Sequence, residues 1–207
     1  SLVPPGIPGH QDDQFIKFDV AQAKKDFETA LAALGTTLDN LNLELGYNVN
    51  GVNADLAGFV QAQWETTFGI DIKLTSMGDF GDYLRRLTNE PFDIFRLGGG
   101  FPYHYPHPSS FLTALISCTS GNAMGYCNPQ VDALLEEAAS KADLDEQVAL
   151  YDQAQAMVMA DTPIIPLSFG ARFTLVKPWV LGLTLTANHY GDAGGLFDYR
   201  VSIAPHN

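Results

Sequence analysis

Apolar residues recur with helical and then strand spacing along the first half of the chain. Residues 19–34 carry one apolar stripe at helical spacing behind a capping Asp19, and Gly35 follows as a stop signal. Residues 41–47 alternate leucine and tyrosine with polar residues, as a half-buried strand does. A second helical run ends before Gly69, and residues 70–74 alternate again. This order predicts two parallel strands joined by a right-handed helical crossover.

The pattern repeats once more and ends in a segment of different character. Residues 78–87 have the spacing of a short helix, and PFDIFRL, residues 91–97, is typical of a buried strand. The strand leads into GGGFPYHYPHPSSFL, residues 98–112, which is rich in glycine, proline and aromatic residues and has no Lys, Arg, Asp or Glu. In open parallel α/β sheets, ligands bind at the loops beyond the carboxyl ends of the strands. This segment is therefore predicted to lie where a ligand would bind.

Two more helices and several short strands are predicted in the second half of the chain. Residues 131–142 carry an apolar stripe, and Asp143 with Glu146 forms a capping-box-like start for the following helix. Beyond it, TPIIPLSFG, residues 162–170, is predicted as a strand interrupted by prolines, with shorter strands at 173–176 and 181–185.

Composition narrows the class of protein. The chain has 207 residues, of which 46% are hydrophobic and 17% charged, as in a globular protein. Its formal net charge of -13 would repel a polyanion, so nucleic acid is excluded as a partner. No apolar run reaches the roughly 18 to 20 residues of a membrane-spanning helix. The opening SLVPPGIPGHQDD has no signal-peptide pattern and no initiator methionine, and we expect it to be a linker within a longer protein.

The residue types in GGGFPYHYPHPSSFL could suggest a metal site, nucleophilic catalysis or nucleotide binding. The spacing of the residues supports none of the three. His104 and His107 flank Pro106, which prevents the helical alignment of a two-histidine metal site. Ser109 and Ser110 have no nucleophile-elbow motif and are better explained as the start of a helix. The glycines match neither GxGxxG nor GxxxxGK[ST], so nucleotide binding is not predicted, and no metal or other cofactor is expected.

Recognition by shape and stacking is the interpretation that remains. Phe101, Tyr103 and Tyr105 supply broad apolar faces, while His104 and the tyrosine hydroxyls supply directional hydrogen bonds. Packing of these aromatic residues in the core, with the glycines as a connector, is the alternative, and composition alone does not decide between the two.

The two cysteines, Cys118 and Cys127, flank the turn-rich loop CTSGNAMGYC. They form either a disulfide closing that loop or two unrelated buried thiols, and we favour the disulfide. A disulfide would place the protein outside the cytosol. Metal ligation is not predicted, because no second Cys or His pair has a zinc-site spacing.

Several motifs, in order, resemble the C-terminal part of the extracellular solute-binding proteins of family 5 ABC importers, which carry oligopeptides, dipeptides and nickel. LVPPGIPGH resembles the segment leading out of their hinge, and FDVAQAKKDFETA resembles their Tyr-Asp-x-x-x-Ala-Lys-x-Leu-Leu helix. PFDIFRL followed by the aromatic loop and PHPSSFL resembles Trp-x-x-Asp-Tyr-x-Asp-Pro-x-x-Phe-Leu. Residues 126–167, which run from YCNPQVDALL to TPIIPL, are similar to a specific series of family motifs: Asn-x-x-Asp-x-Leu, Leu-Tyr-x-x-Ala-Gln and Pro-x-x-Pro-Leu.

The resemblance implies an α/β fold: one periplasmic-binding-protein-like lobe with a mostly parallel central sheet flanked by helices, of the type II, cluster C solute-binding architecture. It implies a hinge-exit linker at 1–17, a C-terminal ligand-binding lobe at 18–185, and a segment at 186–207 returning to a missing amino-terminal lobe. Members with a cysteine pair around the same loop support the Cys118–Cys127 disulfide.

The implied function is not enzymatic. The protein would capture a small solute, foremost an oligopeptide, and deliver it to the membrane permease of an ABC importer. It would lie in the periplasm or at the cell surface, anchored by lipid through the absent amino terminus. Ligand-binding residues are expected at Phe101, Tyr103, His104, Tyr105, Asn48 and Asn50.

One departure from the family motif weakens the expectation of a peptide. His104 stands where peptide-binding members carry the acid that holds the ligand's α-ammonium, and Phe101 replaces their Trp. The other expected pocket edge, Tyr47 to Asn53, has no Arg or Lys to bind a carboxylate. An oligosaccharide or a metal chelate is therefore the alternative ligand within the family. A weak peptidase acting through Ser109 or His104, and a module that only docks on the permease, are rival functions.

Overall fold

A computed structural model describes residues 1–12, 15, 17–98, 107–170, 175–183 and 201–205. The chain divides into two compact units. We call Lys17–Gly98 the inserted unit, and Ser1–Ile16 together with Gly99–Asn207 the flanking unit.

The inserted unit alternates helices and strands around a three-stranded sheet. Its elements are α1 (Val20–Leu34), β1 (Leu43–Asn48), α2 (Asn53–Phe68), β2 (Ile72–Met77), α3 (Phe80–Asn89) and β3 (Ile94–Phe95), with a single 3₁₀ turn at Leu38–Asn40. The strand order is β2-β1-β3, and β1 pairs in parallel with both neighbours. The predicted α/β architecture with a parallel sheet flanked by helices is confirmed.

The two faces of β1 pack against different elements because successive side chains point to opposite faces of the sheet. Leu45 lies in a cluster with Ala57 of α2 and with Ile72 of β2. Gly46, on the other face, lies so close to the ring of Phe92 that it has no room for a side chain. α1 is attached to α2 through Phe27, whose ring centroid lies 4.7 Å from that of Phe68.

The flanking unit is built on three helices: α4 (Ser109–Ile116), α5 (Pro129–Ser140) and α6 (Leu144–Asp161). A two-stranded antiparallel ribbon, β4 (Val180–Leu181) with β5 (Ser202–Ile203), completes its regular structure among the described residues. The helices bury a cluster that includes Leu112, Ile116, Val131, Leu135, Tyr151 and Val158.

The first residues of the chain are part of the core of the flanking unit. Leu2, Val3 and Ile7 are buried with the helices, and Gln155 of α6 accepts a hydrogen bond from the backbone N–H of Leu2 at 2.5 Å. This opening was predicted as a linker leading out of a hinge. Its packing is that of a core segment, while the predicted boundaries after residues 17 and 185 stay predictions.

One predicted strand is absent, and another is shorter than predicted. Residues 163–170 form no strand. Pro163 and Pro166 have no N–H to donate, so the segment cannot form a continuous ladder. The strand predicted at 181–185 is present as Val180–Leu181, and residues 184 and 185 lie outside the described residues, as do 173 and 174 of the other predicted strand.

The predicted disulfide is present. Cys118 and Cys127 are bonded, with their Cα atoms 4.4 Å apart. The loop they close is also held by the side chain of Asn122, whose Nδ2 donates to the carbonyl groups of Ser117 and Tyr126 at 3.2 and 3.0 Å. Asn122 therefore links the residues that precede each cysteine.

Candidate functional site

The carboxyl ends of the three strands lie at one edge of the sheet, because all of them run in the same direction. β1 ends at Asn48, β2 at Met77 and β3 at Phe95. In open parallel sheets this is the edge at which ligands bind. The chain leaves β3 at this edge and continues into the aromatic segment 99–106.

Asn48 is a buried polar residue at the end of the central strand, with only 7% of its surface exposed. Its Oδ1 and its backbone oxygen accept hydrogen bonds from Nδ2 of Asn53, at 3.2 and 3.1 Å. These bonds close the turn between β1 and α2. The Nδ2 of Asn48 has no hydrogen-bond acceptor among the described residues, so a donor is left at the edge.

Asn50 lies in the same turn and is exposed. Its backbone oxygen accepts from the N–H of Asn53 at 3.1 Å, and the N–H of neighbouring Val49 donates to Met77 of β2 at 2.8 Å. The turn is thereby tied to both adjacent elements. Both asparagines thus lie at the expected edge of the sheet, and their part in binding stays a prediction.

Arg96 is a site candidate that the sequence did not identify. Its backbone N–H donates to Gly46 of β1 at 2.9 Å, which continues the ladder one residue past β3. Its guanidinium lies over Gly98, where a β-carbon would be 3.3 Å from an Nη atom. Among the described residues this guanidinium makes no ion pair or hydrogen bond. A cation without a hydrogen-bond or ion-pair partner in the described part of the chain therefore lies at the exit of β3.

The pocket edge expected at Tyr47–Asn53 has no Arg or Lys, whereas Arg96 lies at the exit of the neighbouring strand β3. The signal that could have found Arg96 is its place in PFDIFRL, near the end of a predicted parallel strand and just before the glycine run. β3 is the neighbour of β1 in the sheet, so the two strand ends lie side by side.

The other predicted ligand-binding residues, Phe101, Tyr103, His104 and Tyr105, lie outside the described residues. The description resumes at His107, which lies just before α4. Its Nδ1 is 2.8 Å from Oγ of Ser109, and its Nε2 is 2.7 Å from Oε1 of Gln147 in α6.

This serine–histidine pair has the separation of a nucleophile and its base. The backbone N–H of Ser109 also donates to Nδ1 of His107, at 3.3 Å. An imidazole that accepts the first N–H of a helix and donates from Nε2 to Gln147 acts as a cap for α4. The contacts shown are therefore those of a structural histidine that joins the start of α4 to α6.

In the described part of the chain, no group of three or more His, Cys, Asp or Glu residues could hold a metal ion. None of the helices in that part is both long and apolar enough to cross a membrane.

The protein family described as "bacterial extracellular solute-binding proteins, family 5 Middle" matches this chain over residues 1–123, which is more than half of its length. The chain belongs to this family. It is a family of solute-binding proteins rather than of enzymes, and the predicted membership is confirmed.

Individual relatives agree with this assignment. The periplasmic oligopeptide-binding protein OppA of Escherichia coli K12 is 30% identical over 184 residues, covering 87% of this chain and 33% of OppA. The periplasmic murein peptide-binding protein MppA of the same organism is 32% identical over 163 residues, covering 78% of this chain and 29% of MppA.

The solved structure of Burkholderia pseudomallei OppA superposes with a TM-score of 0.71 at 31% identity, over 88% of this chain and 36% of that one. The predicted periplasmic-binding-protein-like fold is thus confirmed. The chain spans about a third of the length of the relatives it matches.

Proposed function

We propose that this family 5 protein is the solute-binding component of an ABC importer and that its solute is a short peptide with a free carboxyl group. The observation that carries the proposal is the guanidinium of Arg96 at the exit of β3, at the sheet edge where the central strand β1 ends in the buried Asn48. Relatives named as oligopeptide- and murein peptide-binding proteins support a peptide as the solute.

The chemistry of these two groups fits a peptide. The Nδ2 of Asn48 is a neutral donor suited to a peptide carbonyl. The guanidinium of Arg96 has a planar array of donors that matches a carboxylate. A hydrogen bond to a charged group contributes about 1.5 to 3 kcal/mol, which corresponds to roughly 10- to 150-fold in affinity. Arg96 would therefore supply much of the preference for a free carboxyl terminus.

The aromatic segment is the second part of the proposed site. Phe101, Tyr103 and Tyr105 would stack against peptide side chains, and His104 would give a neutral hydrogen bond. A neutral imidazole cannot replace the acid that holds an α-ammonium in the family motif. The ligand's amino terminus should therefore matter less to affinity than its carboxyl terminus.

The wider assignment follows from the family. The protein would act outside the cytoplasm, as its Cys118–Cys127 disulfide favours, and deliver its solute to a membrane permease without chemical turnover. The part of the relatives beyond this chain would supply the other lobe of the clamp. A lipid anchor at the amino terminus of the full-length protein is part of the same proposal.

Calorimetry on the full-length protein tests the ligand class. A library of short peptides is compared in three forms: free, amino-acetylated and carboxyl-amidated. We expect acetylation to change the Kd little and amidation to weaken binding roughly 10- to 150-fold. Arg96→Gln should remove the effect of amidation, and Tyr103→Ala with His104→Ala should weaken all three forms. Unchanged affinity in the latter variant would exclude the aromatic segment from the site.

Three outcomes would replace the proposal. Binding of oligosaccharides or metal chelates but of no peptide would make the protein a receptor for that other ligand class. Hydrolysis of a labelled peptide, abolished by Ser109→Ala, would make it a peptidase. Capture of the permease without any solute would indicate a docking module.

A further inference from the structure

The exit of β3 is held by very little regular structure. β3 has only two residues, which pair with Leu45 and Gly46 of β1. The hydrogen bond from Arg96 N–H to Gly46 O at 2.9 Å is the next connection along the strand. So short a ladder fixes the direction of the following backbone weakly, and Arg96 lies at that point.

A tyrosine hydroxyl of α3 reinforces this exit. The Oη of Tyr83 lies 2.6 Å from the carbonyl oxygen of Arg96 and 3.1 Å from that of Gly46. Its single hydrogen is donated mainly to the closer carbonyl and shared with the other. One side chain therefore joins β1 and β3 at their carboxyl ends.

The surroundings of Tyr83 fix the position of this hydroxyl. The residue is fully buried at 0% exposure, and the centroid of its ring lies 6.0 Å from that of Phe92 and 6.4 Å from that of Phe80. Burial raises the pKa of Tyr83 to about 12, so the hydroxyl keeps its proton and stays a donor at neutral pH.

We infer that Tyr83 is a positioning residue for ligand selectivity. Its hydroxyl fixes the backbone carbonyl of Arg96, and with it the direction in which the guanidinium leaves the strand. The inference rests on the proposed role of Arg96 in binding a carboxylate. Tyr83 does not itself touch the ligand. It acts through Arg96, and α3 thereby sets how strongly the site distinguishes a free carboxyl terminus from an amidated one.

Tyr83→Phe tests this because it keeps the ring and removes only the hydroxyl. In the full-length protein, we expect the ratio of affinities for free and amidated peptide to fall about two- to tenfold, with the affinity for the amidated peptide unchanged. A merely structural role would weaken both peptides equally, and that result would overturn the inference. Tyr126→Phe is the matched control: it removes the 2.7 Å hydrogen bond to Asp161 in the flanking unit and should leave the ratio unchanged.

The carboxylate-binding role of Arg96 and the positioning role of Tyr83 are refuted by different results. If the wild-type protein binds peptides but does not distinguish the free from the amidated form, the proposed role of Arg96 is wrong. If it does distinguish them, Arg96→Gln abolishes the difference, and Tyr83→Phe retains it in full, only the positioning role is wrong.

Hydrogen exchange on the unchanged protein gives a second test, which holds even if Tyr83→Phe fails to fold. The amide of Arg96 should exchange as slowly as the amides inside β1, because Tyr83 holds both strand ends together. Exchange as fast as that of the Gly98 amide would overturn the inference.

Discussion

Gly46 has no side chain because the ring of Phe92 occupies the space that a side chain would need. A β-carbon at this position would lie 2.2 Å from Cδ2 of Phe92. The ring cannot easily retreat, since the guanidinium carbon of Arg86 lies 3.9 Å from its centroid. The close packing of β1 on this face of the sheet thus depends on a single glycine.

Gly46→Ala should therefore destabilise the protein by about 1 to 3 kcal/mol, the usual cost of overpacking a tight core. Urea denaturation followed by circular dichroism measures it. Gly58→Ala is the matched control, because Gly58 lies inside α2 and its β-carbon position has no atom within 4 Å apart from its chain neighbours and the backbone of its own helix. That change should stabilise by about 0.5 to 1 kcal/mol through helix propensity. A loss at Gly58 equal to that at Gly46 would refute the packing argument.

The carboxylate of Glu44 accepts hydrogen bonds from several donors at the amino end of the sheet. Its Oε1 accepts from the hydroxyl of Thr75 at 2.5 Å and from Nζ of Lys73 at 2.9 Å, while its Oε2 accepts from an Nη of Arg86 at 2.8 Å. The Thr75 hydroxyl, followed by Lys73, lowers the pKa of Glu44 below its ordinary value of 4.5. The ionised carboxylate therefore stabilises the folded state above that pH.

This contribution is lost as the pH falls below 4.5 and Glu44 takes up a proton. We expect Glu44→Gln to lower stability at pH 7 and to flatten the loss of stability on acidification. Urea midpoints measured at a series of pH values test this. Glu137→Gln, which breaks the pair between the exposed Glu137 of α5 and Lys141 just after that helix, should leave the acid slope close to that of the wild type. If the urea midpoints of the wild type and of Glu44→Gln fall equally steeply with decreasing pH, the prediction is contradicted.

The limits of helices were predictable because their signals are local. Asp19 accepts from Gln22 N–H at 2.9 Å, and Asp143 accepts from the N–H groups of Asp145 and Glu146, as their positions in the sequence indicate. Gly35 and Gly69 both adopt the left-handed conformation that ends α1 and α2. The parallel order of β1 and β2 followed from the helix between them.

Features that depend on distant residues were not predictable in the same way. The length of β3 depends on how many residues can reach β1, and the apolar run PFDIFRL does not specify that number. Asn48 could be assigned to a strand end from the pattern alone. The candidacy of Arg96 depends on the absence of an ion-pair partner among the described residues, which only the three-dimensional arrangement shows.

The amino-terminal segment depends on one buried residue of α6. Gln155 is completely buried, and its Oε1 accepts from Leu2 N–H at 2.5 Å, Val3 N–H at 3.3 Å and the Ser1 hydroxyl at 3.0 Å. Because the segment lacks secondary structure, these bonds replace a backbone ladder. An apolar side chain at this position would leave buried donors without partners.

Gln155→Leu should cost about 1 to 3 kcal/mol for each donor that stays buried without a partner. The released segment should become sensitive to proteolysis before the helices do. Limited proteolysis with mass spectrometry detects the cleavage. Gln153→Leu is the control on the same helix, because Gln153 is exposed and its side chain, among the described residues, donates only to the carbonyl group of Ala149 one turn earlier. Equal protection of residues 1–12 in both variants would contradict this role for Gln155.

The division into two units predicts a local effect of reducing the disulfide. The bond closes a loop with a sequence separation of 9, all within the flanking unit, and its loss should cost about 2 to 3 kcal/mol. Native-state hydrogen exchange should show weaker protection in α4, α5 and α6 and unchanged protection in β1 and β2. Since Asn122 still links Ser117 to Tyr126, the reduced loop should keep its shape. An equal loss of protection in both units would contradict the division.

The bond between Leu2 and Gln155 joins residues separated by 153 positions, whereas the inserted unit is one continuous stretch of chain. During synthesis the inserted unit therefore has all its residues available well before α6 exists, and it can fold first. The flanking unit must wait, with Leu2, Val3 and Ile7 exposed, until α6 is made. Its apolar residues Leu2, Val3 and Ile7 therefore stay without their partners on α6 for longer than the core residues of the inserted unit stay without theirs.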